Sequence, residues 1–251
     1  MNKLKKIYKL ISKTLLSSSK PTTVSAVILA AGSSTRMGGE SKQMIRLLGK
    51  EVVLRSARAF EECGDINEII VVATEEERDK VEELMRDGGI TKFKRAVIGG
   101  KSRFESVKIG FESTDPFCDL VAVHDAARCL ITPEQISSVI SSAKVHGAAI
   151  AASHTVDTIK TVDDDGKIVF TAQRKKLWNA QTPQVFLRGM LEYGLYAKRE
   201  AGFEPTDDAV LAETLGFGVY VVDCGRENMK ITTAQDVDTA LSILKRRGEN
   251  E

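Results

Sequence analysis

The sequence predicts an α/β domain, a mostly parallel sheet with helices on both faces and a protruding β-hairpin. Three observations lead there. From Val24 onward, short Val/Ile/Ala-rich runs alternate with amphipathic stretches, the pattern of a parallel sheet with crossover helices. Helix-start signals recur in the intervening segments. The alternation then breaks once, between about Val156 and Ala172, for two short β-type runs around an Asp-Gly turn.

In order, Val24–Ala30 is predicted as a buried strand, Glu51–Glu62 as a helix and Glu68–Ala73 as the next strand. Glu75–Arg86 follows as a helix, with Thr74 and Glu77 spaced as a capping box. Lys94–Ile98 is a short strand, Ser102–Phe111 a helix and Asp119–Val123 a strand. Thr132-Pro133-Glu134-Gln135 opens a helix with an N-cap, a first-turn proline and a reciprocal Gln. Ala148–Ala152 is another apolar strand. Thr158–Val162 and Lys167–Thr171 form the hairpin, an arm of about residues 156–175. Helices are expected at about 186–199 and 207–215, a strand at Gly218–Asp223, and a last helix in which Thr232 and Gln235 match a capping box. There is no internal repeat and no low-complexity linker, so residues 23–251 read as one domain with an arm.

The bulk composition excludes several classes. Lys plus Arg number 36 against 35 Asp plus Glu, a net charge of +1. Bulk charge therefore supports neither a nucleic-acid partner nor a membrane-surface role. No apolar run approaches the roughly 20 residues of a membrane span. The four cysteines, Cys63, Cys118, Cys129 and Cys224, form no C-x-x-C pair and no zinc spacing. They read as free thiols of a cytoplasmic protein. Residues 1–22 differ from the rest: Met1–Thr23 carries six lysines, and the first acidic residue is Glu40. The segment reads as a basic extension outside the fold. An organellar presequence, which would be expected to contain arginine, and a membrane-surface helix are its alternatives.

In parallel sheets ligands bind at the carboxyl ends of the strands, so the loops after Ala30, Ile98, Val123 and Ala152 are the ones to inspect. The first reads Ala30-Ala31-Gly32-Ser-Ser-Thr-Arg36-Met-Gly38-Gly39, then Ser41-Lys42-Gln43. Glycine lets backbone N–H groups approach phosphate oxygens, and two cations within one loop add the charge a triphosphate requires. Neither the P-loop spacing nor the dinucleotide fingerprint is present.

With Gly99-Gly100…Arg103…Ser106, Val123-His-Asp-Ala-Ala-Arg128, Arg174…Leu177-Trp178, Gln181-Thr-Pro-Gln184 and Asn228-Met-Lys230-Ile-Thr, this loop completes an ordered set of motifs over about residues 24–246. The set resembles the 2-C-methyl-D-erythritol 4-phosphate cytidylyltransferases of the non-mevalonate isoprenoid pathway. The resemblance implies a Rossmann-like domain and a homodimer in which each arm completes the neighbour's site. It implies CTP as co-substrate, Mg²⁺ as cofactor, and transfer of the cytidylyl group to the alcohol phosphate with release of pyrophosphate.

By the same resemblance, Arg36 and Lys42 hold the CTP phosphates and stabilise charge in the transition state. Ala30, Ala31, Gly32, Gly99, Gly100 and Ser106 contact the nucleotide. Asp125, Arg128, Thr158, Arg174, Thr182 and Lys230 hold the alcohol phosphate, with Arg174 and Thr158 reaching across the dimer. Arg174 and Lys230 join Arg36 and Lys42 as catalytic cations. Asp125 and Asn228 are the metal candidates. His124 is expected to be structural, because the attacking phosphate is already ionised and needs no base. The family often has proline where Ser41 and Cys129 stand, which bears on loop stiffness more than on charge.

The nearest alternative is a ribitol-5-phosphate cytidylyltransferase of teichoic acid synthesis. Those sequences tend to read His-Asp-Ser-Val-Arg where this chain has His124-Asp-Ala-Ala-Arg128, and lack the Arg…Leu-Trp run. A nicotinamide-dependent oxidoreductase is disfavoured by the missing G-x-G-x-x-G, and a non-catalytic nucleotide sensor by the intact cations.

Overall fold

A computed structural model of the chain describes residues 21–32, 41–197 and 204–249. The expected roles of Arg36 and of the basic segment 1–20 lie outside the described residues.

The strands are β1 (Val24–Leu29), β2 (Arg46–Leu47), β3 (Lys50–Glu51), β4 (Glu68–Ala73), β5 (Phe93–Ile98), β6 (Leu120–Asp125), β7 (Ala148–His154), β8 (Lys160–Val162), β9 (Ile168–Thr171), β10 (Trp178–Leu187) and β11 (Tyr220–Asp223). The helices are α1 (Val52–Glu62), α2 (Arg78–Asp87), α3 (Arg103–Glu112), α4 (Pro133–His146), α5 (Arg188–Tyr196), α6 (Ala209–Glu213) and α7 (Ala234–Arg246). Seven strands form one sheet in the order β11-β7-β10-β6-β1-β4-β5. All pairs are parallel except those of β10, which runs antiparallel between β6 and β7.

The central strands are buried on both faces, which is why they read as continuous apolar runs. Strand periodicity of two then sorts their residues. Val27 and Val72 face α3, where Gly110 brings the helix backbone close: a Cβ there would lie 2.3 Å from Val27. On the other face His124 meets the ring of Phe60 from α1, centroids 4.9 Å apart. Asp125, the next residue, is therefore turned towards the α3 side.

Several sequence expectations are corrected. The Thr132/Gln135 capping box is formed, but the Thr74/Glu77 box is not. Residues 75–77 are a turn, and α2 begins at Arg78 with Glu77 as an N-cap that makes no side-chain bond. The box at the last helix lies one residue later than expected. Thr233 is the N-cap, and the carboxylate of Asp236 accepts from the backbone N–H groups of Thr232 and Thr233, both at 2.8 Å. The largest miss is β10. The helix expected from residue 186 begins at Arg188, and the ten residues before it form a strand between β6 and β7.

The hairpin is present. β8 and β9 pair antiparallel, and Gly166 turns the chain at φ +81°. The strands are shorter than expected, and Thr158 lies before the first of them. Among the described residues no helix is long and apolar enough to cross a membrane.

Candidate active site

The carboxyl ends of β1, β5 and β6 open onto a cavity of about 350 Å³. Ala31 and Gly32 line its floor after β1, with Lys42 and Gln43 across from them and Gly100, Ser102, Arg103 and Ser106 on the α3 side. An ideal Cβ on Gly32 would stand 3.7 Å from Lys42 Nζ, so the ammonium lies directly over this glycine. Ala30 is buried, and its N–H donates to the carbonyl of Val72 at 2.6 Å. It shapes the loop from beneath.

Gly99 and Gly100 are required by space. A Cβ on Gly99 would lie 2.6 Å from that of Ala31, and one on Gly100 2.3 Å from that of Glu105. The second glycine also donates its N–H to Ser106 Oγ at 3.1 Å. Ser102 caps α3 by accepting from the N–H of Glu105 at 3.1 Å, while the Glu105 carboxylate accepts from Lys101 N–H at 2.7 Å. The turn is thus held from both sides, its glycines allowing the backbone to approach a ligand closely.

A second cavity of about 250 Å³ lies beside the first, lined by Arg128, Ala180, Gln181, Thr182, Gln184, Thr206 and Asp207. The two share three residues: Arg103, Asp125 and Lys230. Asp125 is the hub of this junction. Its Oδ2 accepts from Lys230 Nζ at 2.8 Å, and its Oδ1 lies 3.5 Å from Arg103 Nε. Arg128 Nε stands 4.0 Å away. Burial would raise the Asp125 pKa, but Lys230 foremost, then Arg103 and Arg128, hold the carboxyl well below the usual range. Burial lowers the pKa of Arg128. Burial works against the charge of Arg103 too, and Asp208 outweighs it, with Asp125 adding to the effect.

The remaining assignments divide in two. Thr182 lines the second cavity, but its hydroxyl accepts from Asp125 N–H at 2.9 Å and lies 3.0 Å from His124 Nδ1. It sets the strand end that carries Asp125. His124 is fully buried and its pKa is pushed down to about 3 by burial, so the ring is neutral, in keeping with a structural role. Asn228 is buried behind the second cavity. Its amide donates to Gln181 Oε1 at 3.0 Å and to the Thr182 carbonyl at 2.9 Å, and its backbone carbonyl accepts from Arg128 Nη1 at 3.0 Å. It lines neither cavity, so of the two metal candidates only Asp125 reaches the site.

Arg174 and Thr158 are exposed at the base of the arm, away from both cavities of their own chain. Arg174 Nη1 donates to the carbonyl of Val156 at 3.0 Å. Arg103 and Asp208, to which the sequence assigns no role, form a bidentate pair at 2.9 and 2.8 Å. The sequence signal for Arg103 is its place in the Gly99-Gly100…Arg103…Ser106 motif, at the first turn of α3. For Asp208 it was an acidic pair opening a helix.

Comparison with known proteins matches this geometry. Residues 24–246 match the family described as IspD, 2-C-methyl-D-erythritol 4-phosphate cytidylyltransferase. The enzyme of that name from Alkaliphilus metalliredigens is 40% identical over 230 residues, covering 91% of this chain and 95% of the relative. That from Caldanaerobacter subterraneus is 40% identical over 225 residues, covering 89% and 99%. The crystal structure of 4-diphosphocytidyl-2C-methyl-D-erythritol synthase from Anaerococcus prevotii superposes with a TM-score of 0.81 at 30% identity, covering 90% of this chain and 97% of that one. With a match across nearly the whole sheet and both cavities, the chain belongs to the 2-C-methyl-D-erythritol 4-phosphate cytidylyltransferase family.

Proposed function

We propose that the two cavities divide the two substrates of a cytidylyl transfer and that the reaction takes place at their shared junction. The chain is a CTP-dependent nucleotidyltransferase of isoprenoid biosynthesis that makes 4-diphosphocytidyl-2-C-methyl-D-erythritol and pyrophosphate. The observation that carries the division is the common wall of Arg103, Asp125 and Lys230 between one cavity floored by a glycine loop and another ringed by polar side chains.

CTP takes the first cavity. Its base rests against the Gly99–Ser106 turn and its phosphates lie over Ala31 and Gly32, beneath Lys42. Arg36, from the same loop, adds a second cation to the phosphates. The alcohol phosphate takes the second cavity, where Arg128 and Lys230 supply positive charge. Its phosphate oxygen attacks the α-phosphorus of CTP. A new P–O bond forms as the bond from that phosphorus to the β-bridging oxygen breaks, and the electron pair leaves with pyrophosphate. Lys42 and Lys230 offset the charge that develops on the α-phosphoryl oxygens. Lys230 then exchanges part of its pairing with Asp125 for the phosphate, and Asp125 turns to the substrate hydroxyls.

Among the described residues no three acidic, His or Cys side chains gather to hold a metal. A Mg²⁺ bound with the nucleotide would have Asp125, the carboxylate on the wall common to both cavities, to hold it, and would supply charge neutralisation for the departing pyrophosphate.

The second site component comes from a homodimer. Ile168, Val169 and Phe170 of the arm are each more than half exposed, at 56%, 67% and 57%. A two-stranded hairpin is marginal in water by itself. Lying on a second copy would cover this apolar surface and bring Arg174 and Thr158 to the partner's second cavity. The four buried cysteines fit a reducing, cytoplasmic setting.

Pyrophosphate release tests the reading. CTP with methylerythritol 4-phosphate is expected to turn over, and ribitol 5-phosphate is expected to react far more slowly. UTP should fall well behind CTP, because a donor pattern built for cytosine leaves buried polar groups unpaired against uracil. Equal rates with UTP would point to a broader sugar-nucleotide enzyme.

Residues 1–22 are dispensable on this reading. The fold is tied from Thr23 onward, whose N–H and hydroxyl both donate to Asp119 Oδ2, at 2.9 and 3.0 Å. A chain starting at Thr23 is expected to keep wild-type kcat and Tm within a few degrees; loss of soluble protein would show that the segment packs on the core.

A further inference from the structure

We infer that Asp208 is a positioning residue that fixes Arg103 as a strut between the two substrate cavities. This rests on the cytidylyl-transfer reading of those cavities. The observation is geometric. Both Nη atoms of Arg103 point at Asp208, Nη1 to Oδ1 at 2.9 Å and Nη2 to Oδ2 at 2.8 Å, while Nε points back at Asp125 Oδ1 at 3.5 Å. One planar guanidinium thus joins a carboxylate at the end of β6 to one that leads into α6. A fork with two parallel bonds defines the plane and direction of the group, which a single contact would not do.

Asp208 is itself held rigidly. It is 1% exposed. Gln184 of β10 accepts through Oε1 from the N–H groups of Asp208 and Ala209, both at 2.9 Å. Through Nε2 the same side chain donates to Asp207 Oδ2 at 2.9 Å. The antiparallel strand therefore sets the position of Asp208, Asp208 sets Arg103, and Arg103 stands on the wall common to both cavities. An end-on fork engages only the inner N–H groups of the two Nη atoms, so two N–H donors remain at its outer edges.

The pair also protects the division of labour at Asp125. Arg103 and Lys230 are both within reach of that carboxylate, but they contact different oxygens. With Asp208 removed, Arg103 has one carboxylate left and turns onto Asp125, where it competes with Lys230 for the same group. Lys230 is then displaced from the place where the alcohol phosphate is to meet it, and Arg103 no longer holds its place on the wall common to both cavities. One substitution, outside the nucleotide loop, is expected to affect both substrates.

The test is a double-mutant cycle on the full chain, with Asp208→Asn, Arg103→Gln and the double variant. Steady-state pyrophosphate release, CTP titration by calorimetry and Tm are measured for each. Asp208→Asn is expected to lower kcat/KM for both substrates, on the order of tenfold to a hundredfold. The double variant should be no worse than the poorer single one, because both remove the same strut. Asp208→Glu, which keeps the charge, should recover several-fold of the loss. A residue that acted only on the fold would lower Tm and active fraction while leaving KM for both substrates unchanged. The inference is overturned if Asp208→Asn stays within about twofold of wild type, or if the two single effects multiply in the double variant. Should Asp208→Asn fail to fold, Arg103→Lys decides: it retains the charge but cannot make the fork, so near-normal kinetics would overturn the inference and a matching loss would sustain it. Wild-type activity is the control. Its absence would overturn the cytidylyl reading and this inference together, whereas normal wild-type and normal variant rates would overturn this inference alone.

Discussion

Replacing Lys42 by alanine is expected to leave a folded protein that binds CTP weakly and scarcely turns over. The ammonium lies over Gly32 on the wall of the first cavity, where the nucleotide phosphates are proposed to run. It sits on a loop between β1 and β2, outside the sheet core, so its loss leaves β-sheet packing untouched. Its charge matters most as the α-phosphoryl oxygens become more negative, and a preorganised donor of that kind is worth on the order of 10²-fold or more in kcat. Single-turnover rates with CTP in excess separate chemistry from binding. A near-normal kcat with a raised KM would show that Lys42 contributes only to ground-state binding. An unchanged kcat and KM would remove the loop from the site altogether.

A mixture of two inactive variants is expected to regain activity. Arg174 and Thr158 lie at the base of an exposed arm, away from both cavities of their own chain. In the proposed dimer each arm serves the neighbour. An Arg174→Ala chain and a Lys42→Ala chain, once exchanged into a mixed dimer, give one site with both lesions and one with neither. Statistical exchange makes about half the dimers mixed, with one intact site in two, so recovery should approach roughly a quarter of wild-type activity. Exchange is verified by pull-down on a tag carried by one variant. Exchange without recovery would place Arg174 at its own chain's site or outside catalysis.

Much of the sheet could be read from the sequence because its central strands are buried on both sides and compose unbroken apolar runs such as Ile69–Ala73. β10 could not. Proline cannot donate to a ladder, so Gln181-Thr182-Pro183-Gln184 carries no strand signal. The structure resolves the conflict with an irregularity: pairing with β7 jumps from Ala180 to Gln184. The strand then passes into α5 with no residue between them, so the apolar run Val185–Leu187 joins the helical pattern that follows.

The candidate site was legible where motif and loop coincide, as at Gly32, Lys42, Gly100 and Asp125, which line the first cavity. It was opaque where a partner lies far along the chain. Arg103 and Asp208 are 105 residues apart, and neither has a neighbour in sequence that announces the pair. Thr182 and Asn228 were ligand candidates by the resemblance alone. The structure also gives them scaffold contacts: the Thr182 hydroxyl, on the wall of the second cavity, accepts from Asp125 N–H, and the Asn228 amide donates to Gln181 and to the Thr182 carbonyl.

The arm leaves the sheet at His154 and returns at Trp178, and these two residues face each other in the ladder, their rings 3.5 Å apart. Its two feet are thus already joined by the scaffold, and closing the detour imposes no demand on what lies beyond them. Arg174 and Thr158 sit near the feet, tied there by the bond from Arg174 to the Val156 carbonyl. The tip, Asp163–Gly166, is remote from this tie. Over evolutionary time the tip should therefore tolerate insertion, shortening and exchange between relatives, while substitutions at the feet are purged, so that drift in length and constancy of chemistry are found within twenty residues of each other.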